Sequence, residues 1–308
     1  MHRSGALLLA LALPGPALAQ STPATGASAQ EWMAKMAGES RRFEYQGVMV
    51  YAHDGRIDSM RVSRRLGPGG TRDEMVSLNG DQRVLVREDG HLTCSDRDGS
   101  KVEVAVGEFP LLAFDPGQFG GATGQYRLTV SGRDRVAGMD SAVVEAKPVD
   151  QSRYGYRLWV EPSSGMLLGS NLESPDGRTV QQLMFTNIAL TPGTAPKLVR
   201  PKPAASPELA AAEGWRAGWL PAGFKLVGSP THPSGQTHLL YSDGLAYVSV
   251  YVEPLRESAR PMQGTVRRGA VNLYAEPTHD RQVVVIGDVP ATTVERIAHA
   301  VEPAPEGH

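Results

Sequence analysis

The sequence predicts an α+β protein of two domains, built mainly from antiparallel strands with few helices. Three observations carry that prediction. Short alternating apolar runs separated by Asn-Gly and Asp-Gly pairs fill the first part of the chain. A proline-rich stretch from Thr191 to Pro207 interrupts them. A second, smaller set of alternating runs follows and ends in an amphipathic helical pattern.

The first 19 residues read as a signal peptide: Arg3 begins it, Ala6 to Leu13 form an apolar core, and Ala17-Leu18-Ala19 is a small-residue cleavage site. The mature chain is expected to start at Gln20, with a small polar tether over Ser21 to Ala27. Ser28 and Glu31 have capping-box spacing, and Trp32, Met33, Met36 and Ala37 recur at helical spacing, so a helix is expected to run to about Arg41. From Tyr45 the period becomes two. Strands are expected at Tyr45–Tyr51, Ile57–Arg65, Asp73–Leu78, Gln82–Arg87, His91–Ser95 and Lys101–Val106. Asp54-Gly55, Asn79-Gly80, Asp89-Gly90 and Asp98-Gly99 supply the positive φ angles that tight hairpins need. Phe109 to Phe119, broken by Pro110 and Pro116, reads as a short helix or lid. Further strands follow at Gln125–Val130, Ser141–Pro148, Tyr154–Glu161, Met166–Ser174 and Val180–Ile188.

The domains are thus expected at 20–190 and 208–301, with the linker at 191–207 and a frayed tail at 302–308. A short helix capped by Ser206 should open the second domain. Its strands read at Phe224–Gly228, Thr237–Ser242, Leu245–Glu253, Ala270–Glu276 and Arg281–Gly287. Thr292 and Glu295 repeat the capping-box spacing before Val294, Ile297, Ala298 and Val301, which line one helical face.

Composition removes several classes. A formal charge of −2 offers no basic footprint for nucleic acid. Cys94 is the only cysteine, so no intramolecular disulfide forms, and it reads as a small buried apolar residue. Acyl-transfer chemistry would need a presented nucleophile, and Gly-x-Ser-x-Gly is absent. Ser242-Asp243-Gly244 reads as a turn between strands. His232 and His238 lack partners at metal-ligand spacing and read as loop histidines. Gly117 to Gly124 is glycine-rich but matches neither a dinucleotide fingerprint nor a phosphate loop, so no cofactor is expected.

What remains is apolar surface. A long meander can curl around a helix or enclose a cavity. Its candidate inward positions are Val48, Met60, Val62, Leu78, Leu85, Leu112, Phe114, Phe119, Leu128, Val144, Leu158, Leu168 and Met184. Singly, each is an ordinary core residue. Together, the Met and Phe residues beside a Gly/Pro-broken lid point to an adaptable apolar pocket.

Several segments in order carry a family likeness: Phe43-Glu-Tyr-Gln-Gly-Val-Met-Val-Tyr51, Tyr154-Gly-Tyr-Arg-Leu-Trp159, Ser164-Gly-Met-Leu-Leu168, Gln182-Leu-Met-Phe-Thr186, Trp219-Leu-Pro-Ala-Gly-Phe224 and Tyr241-Ser-Asp-Gly-Leu-Ala246. With them, the chain resembles the periplasmic sigma-E regulators of the RseB/MucB family over nearly its whole mature length. The resemblance implies a first domain like the lipoprotein carriers LolA and LolB, a curved incomplete barrel that senses lipid. It implies a second, smaller α/β domain that docks the periplasmic part of an RseA- or MucA-like anti-sigma factor. Such proteins shield that partner from site-1 proteolysis and release it when lipopolysaccharide or another lipid binds. On this reading the lipid would meet the inward positions above other than Val144, and Trp219, Phe224, Tyr241, Asp243, Leu245 and Tyr247 would meet the partner. Trp219 and Phe224 equally suit the core of the second domain. A periplasmic lipid or lipoprotein carrier is the alternative, and self-association stays open.

Overall fold

In the computed structural model the described residues are 27–38, 40–67, 70–88, 91–96, 98–103, 124–193, 214–229, 236–255, 260–278 and 280–304. The signal peptide, the lid segment with Leu112, Phe114 and Phe119, most of the linker, the helix expected after Ser206, and His232 lie outside them.

Helix α1 spans Ala29–Gly38. Its capping box forms as the spacing predicts: the Glu31 N–H donates to Ser28 Oγ at 3.2 Å, and the Ser28 N–H returns to the Glu31 carboxylate. A single 3-10 turn at Ser40–Arg42 follows, so the helix stops short of the expected Arg41. Met33 and Met36 are buried on its inner face.

The chain then runs through β1 (Phe43–His53), β2 (Arg56–Gly67), β3 (Gly70–Ser77), β4 (Val84–Glu88), β5 (His91–Ser95) and β6 (Lys101–Glu103). A second meander comprises β7 (Tyr126–Val136), β8 (Met139–Pro148), β9 (Gly155–Val160), β10 (Leu167–Glu173) and β11 (Thr179–Pro192). The two join because β1 pairs with β11, giving one 11-stranded antiparallel sheet in the order β6-β5-β4-β3-β2-β1-β11-β10-β9-β8-β7. The sheet is open, with β6 and β7 at its edges. It also curls, since β7 touches β11 although β8, β9 and β10 lie between them. Asp54 and Gly55, with φ of 47° and 72°, form the two-residue turn between β1 and β2 that the Asp-Gly pair calls for.

The second domain has a 6-stranded antiparallel sheet in the order β13-β14-β15-β18-β17-β16. These strands are β13 (Lys225–Gly228), β14 (Thr237–Ser242), β15 (Tyr247–Pro254), β16 (Gly264–Arg268), β17 (Val271–Thr278) and β18 (Arg281–Gly287). Helix α2 (Ala291–Ala298) packs on it through Val294, Ile297 and Ala298. Full burial of such aliphatic side chains contributes about 1.5–3 kcal/mol each.

Four expectations need correction. The second capping box does not form: α2 starts at Ala291 behind Pro290, which has no capping side chain, and the Thr293 hydroxyl instead donates to the Ser152 carbonyl in the first domain at 3.0 Å. The expected tail is partly a strand, because β19 (Val301–Pro303) pairs with β12 (Trp215–Ala217). His238 is no loop residue: it lies buried in β14, stacked on Tyr251 at 4.2 Å and 3.1 Å from Ser249 Oγ. Cys94 is half-buried rather than buried. The α+β class, with an open antiparallel sheet followed by a smaller domain, is the one observed.

Candidate functional site: a cleft where the domains meet

Strand register builds the floor of the site. Val62, Met75, Leu85 and Cys94 pair in turn across β2 to β5, which sets them in one row on one face of the sheet. Met49 and Met60 pair in the next row, and Tyr51 and Asp58 in the one beyond. Met60, Met75 and Leu85 are buried in a cluster with Phe185. Above this row lies a cavity of about 340 Å³, floored by Tyr51, Met60, Met75 and Leu85 and rimmed by Arg56, Asp58, Asp81 and Arg83. Arg268 and Val271 close it from the second domain. The cleft is therefore apolar below, charged at the mouth, and walled by both domains.

His53 organises one side. Its Nε2 lies 3.0 Å from Asp58 and its Nδ1 3.3 Å from Asp54, and its ring stacks on Tyr51 at 4.4 Å. Burial pushes the Tyr51 hydroxyl up to about 12, and that hydroxyl donates to Gln181 at 2.8 Å. Asp54 accepts the Gly269 N–H across the domain boundary and lies 3.5 Å from Arg267. The Gly269 hydrogen bond is the main reason its carboxyl sits below the usual range.

A second, buried contact lies just before β9 in the chain. Arg153 and Asp243, both with side chains 0% exposed, form an ion pair between the domains. Arg153 also donates to Asp150 and to the Ala222 carbonyl, and lies over the rings of Tyr126 and Phe224 at 5.7 and 5.3 Å. Burial works against its charge, but Asp150 and Asp243 outweigh that and raise its pKa. Asp243 takes the N–H groups of Leu245 and Ala246 on its other oxygen, and the Tyr126 hydroxyl donates to it at 3.2 Å. Around this pair the Tyr156 hydroxyl donates to the Leu245 carbonyl, and Asn272 Nδ2 donates to the Tyr154 hydroxyl. Asp288 accepts the Tyr247 N–H at 2.7 Å, and burial, with Asp243 adding to it, pushes its carboxyl up to about 7. Leu245 and Ala270 belong to the same buried cluster as Met33, Met36 and Leu158, so the core of the first domain continues into the second.

The residues singled out from the sequence fall in several places. Met60 and Leu85 line the cleft, and Val62 is buried in the same cluster as its floor. Leu158 and Val144 are buried with α1, and Leu128 packs against them. Leu168 and Met184 pack with Val143 and Trp159 in another cluster. Two residues do not point inward: Val48 pairs with the exposed Arg61 and Asn187, and Leu78 is 43% exposed in the β3–β4 turn. Alternation separates the faces of a strand but does not say which face is covered.

In the second domain, Phe224 and Tyr241 are buried in its core, and Trp219 is half-buried there with Arg296 3.8 Å above its ring. Asp243 and Leu245 face the first domain, and Tyr247 is half-buried beside Asp288. The sequence reading took Asp54 only as a turn residue and passed over Arg153, Arg268, Gly269 and Asp288. Nothing local marks Arg153 or Asp288, while Asp54-Gly55 reads as a turn and its contact depends on the tertiary fold. Among the described residues, no His, Cys, Asp and Glu side chains gather as a metal site, and no helix is long and apolar enough to cross a membrane.

Fold and site define a two-domain protein with a large open antiparallel sheet, a smaller sheet-and-helix domain and an apolar-floored cleft between them. The chain belongs to the MucB/RseB family: the MucB/RseB N-terminal domain matches residues 28–207 and the MucB/RseB C-terminal domain residues 209–302. It is 32% identical to the sigma factor AlgU regulatory protein MucB of Pseudomonas aeruginosa over 92% of this chain and 94% of that one. It is 24% identical to the sigma-E factor regulatory protein RseB of Haemophilus influenzae, over 89% and 91% of the two chains. Its fold is similar to MucB in the solved MucA/MucB complex of Pseudomonas aeruginosa, with a TM-score of 0.69 and 28% identity over 90% of this chain and 99% of that one.

Proposed function

We propose that this protein is a periplasmic negative regulator of a sigma-E-type envelope stress response. It binds the periplasmic part of an RseA- or MucA-like anti-sigma factor, shields it from site-1 proteolysis and releases it when lipopolysaccharide or another lipid binds. The observation that carries the reading is similarity through both domains to a relative whose solved structure is a complex with MucA. The apolar-floored cleft supports the lipid arm. Met60 and Leu85, which line the cleft, are proposed lipid contacts, with Val62 beneath, and Leu112, Phe114 and Phe119 are proposed contacts outside the described residues.

For the partner arm, Trp219 and Tyr247 are partly exposed as the domains stand. Phe224, Tyr241, Asp243 and Leu245 are buried and would take part only if the domain interface opened. Energetically, an acyl chain contributes about 0.8 kcal/mol per buried methylene. Only the part of that energy that differs between the partner-bound and released states moves the equilibrium.

The test is titration of the full mature chain with the purified periplasmic segment of the cognate anti-sigma factor, with and without lipopolysaccharide, beside digestion of that segment by the site-1 protease. Saturable binding, slower cleavage and reversal of both by lipid are expected. Binding that lipid leaves unchanged would sink the switch.

A further inference from the structure

We propose that the β16–β17 hairpin tip is a lid on the interdomain cleft, latched by Asp54, and that the second domain swings on the buried Arg153–Asp243 contact when the latch opens. The inference concerns how the cleft opens and stands whatever occupies it.

The latch is a turn resting on a turn. Asp54, at the tip of the β1–β2 hairpin, and Gly269, at the tip of the β16–β17 hairpin, both have positive φ, 47° and 62°. The Gly269 N–H points at the Asp54 carboxylate. The approach is so close that a Cβ on Gly269 would sit 2.9 Å from Tyr51 Oη and 3.3 Å from His53 Cβ. Tyr51 and His53 line the cleft from one side, and Arg268 and Val271, which flank the glycine turn, line it from the other. Separating the two tips therefore opens the mouth of the cavity.

The two contacts between the domains differ in what they give up on opening. At Asp54 the side chains are 35% exposed and those of Arg267 52%, so water replaces the lost partners at once. At Arg153 and Asp243 both side chains are wholly covered, and parting them would leave Arg153 with Asp150 alone and Asp243 with only the N–H groups of its own turn. Motion that breaks the first and keeps the second is a swing about the Arg153 contact. Tyr156 and Ser152, which also bond to the second domain, lie beside that pivot, while Tyr154 reaches Asn272 of β17, whose amide also bonds the Ala270 carbonyl next to Gly269.

Hydrogen exchange followed by NMR on the full mature chain reads both ends. The Gly269 N–H reports the latch, and the Arg153 guanidinium N–H groups, which donate across the boundary to Asp243 and the Ala222 carbonyl, report the pivot. Asp54→Ala should speed exchange at Gly269 about threefold to fivefold, the range for losing a partly exposed pair, and leave the Arg153 guanidinium unchanged. In parallel, uptake of the apolar fluorophore N-phenyl-1-naphthylamine should become faster in Asp54→Ala and be lost in Leu85→Arg, which fills the cleft floor. The latch is overturned if Gly269 exchange does not change. The pivot is overturned if the Arg153 guanidinium accelerates in step with Gly269. The lid is overturned if dye uptake is no faster in Asp54→Ala or survives Leu85→Arg. None of these readouts involves the anti-sigma factor, so a failure of partner binding leaves them unaffected.

Discussion

The contact around Arg153 and the contact around Asp54 join the same two domains but are made differently. Around Arg153 the hydrophobic cluster runs from α1 through Leu158 to Leu245 and Ala270, and the ion pair is enclosed within it. Around Asp54 a carboxylate at the surface meets a glycine turn over a cavity. The difference teaches that one interface can hold a strong, shape-specific joint and a weak, solvent-ready one. Burial, more than the number of polar bonds, sets which is which.

The largest expected effect comes from breaking the buried joint. Asp243→Ala leaves Arg153 charged and covered without the carboxylate it meets across the interface, only the Ala222 carbonyl and Asp150 remaining, and should cost about 3–5 kcal/mol in urea unfolding. The double change Arg153→Met with Asp243→Leu should recover only part of that, because it removes both charges but leaves the Leu245 and Ala246 N–H groups and the Tyr126 hydroxyl without their acceptor. If Asp243→Ala costs no more than a latch variant, the contrast between the two joints fails.

Next comes pH. Asp288 holds its proton in the folded protein up to about 7, above the 3.8 of an unperturbed carboxyl. Between those values the folded state binds a proton that the unfolded chain has released, so stability falls as pH rises and levels off above about 7. The fall should total about 4 kcal/mol, seen as a lower urea midpoint at neutral pH than at moderately acidic pH. Asp288→Asn should flatten it. A profile that keeps its slope in that variant assigns the titration to another group.

Gly269→Ala forces a side chain into a positive-φ position and toward Tyr51 Oη, and should lower stability by about 1–2 kcal/mol in thermal unfolding. Asp54→Ala should be the mildest, below about 1 kcal/mol in the same measurement, because its partners become solvated. Reversing that order would place the strain at Asp54 and not at the glycine.

Local chemistry was legible in the chain. The Ser28–Glu31 cap and the Asp54-Gly55 turn each depend on neighbours within a few residues. So was the turn at Ser242-Asp243-Gly244, where Asp243 takes the next N–H groups and the Gly244 N–H donates to Ser242 Oγ. Strands β12, β16 and β19 were not foreseen. β12 and β19 are three-residue segments stabilised by each other from opposite ends of the second domain, and β16 is an exposed edge strand with too little apolar alternation to read. The cleft was only partly legible. Met60 and Leu85 were among the inward candidates, but Arg268 and Val271 come from the other domain.

By itself the sequence determined the α+β class, the Asp54-Gly55 turn, the first helix cap and the family, because these depend on periods, short-range geometry and residue order. The tertiary structure decided which face of each strand is covered, that β1 closes onto β11, and that Asp243 faces Arg153. Those outcomes depend on groups far apart in the chain, whose meeting is set by how the whole sheet curls and where the second domain packs.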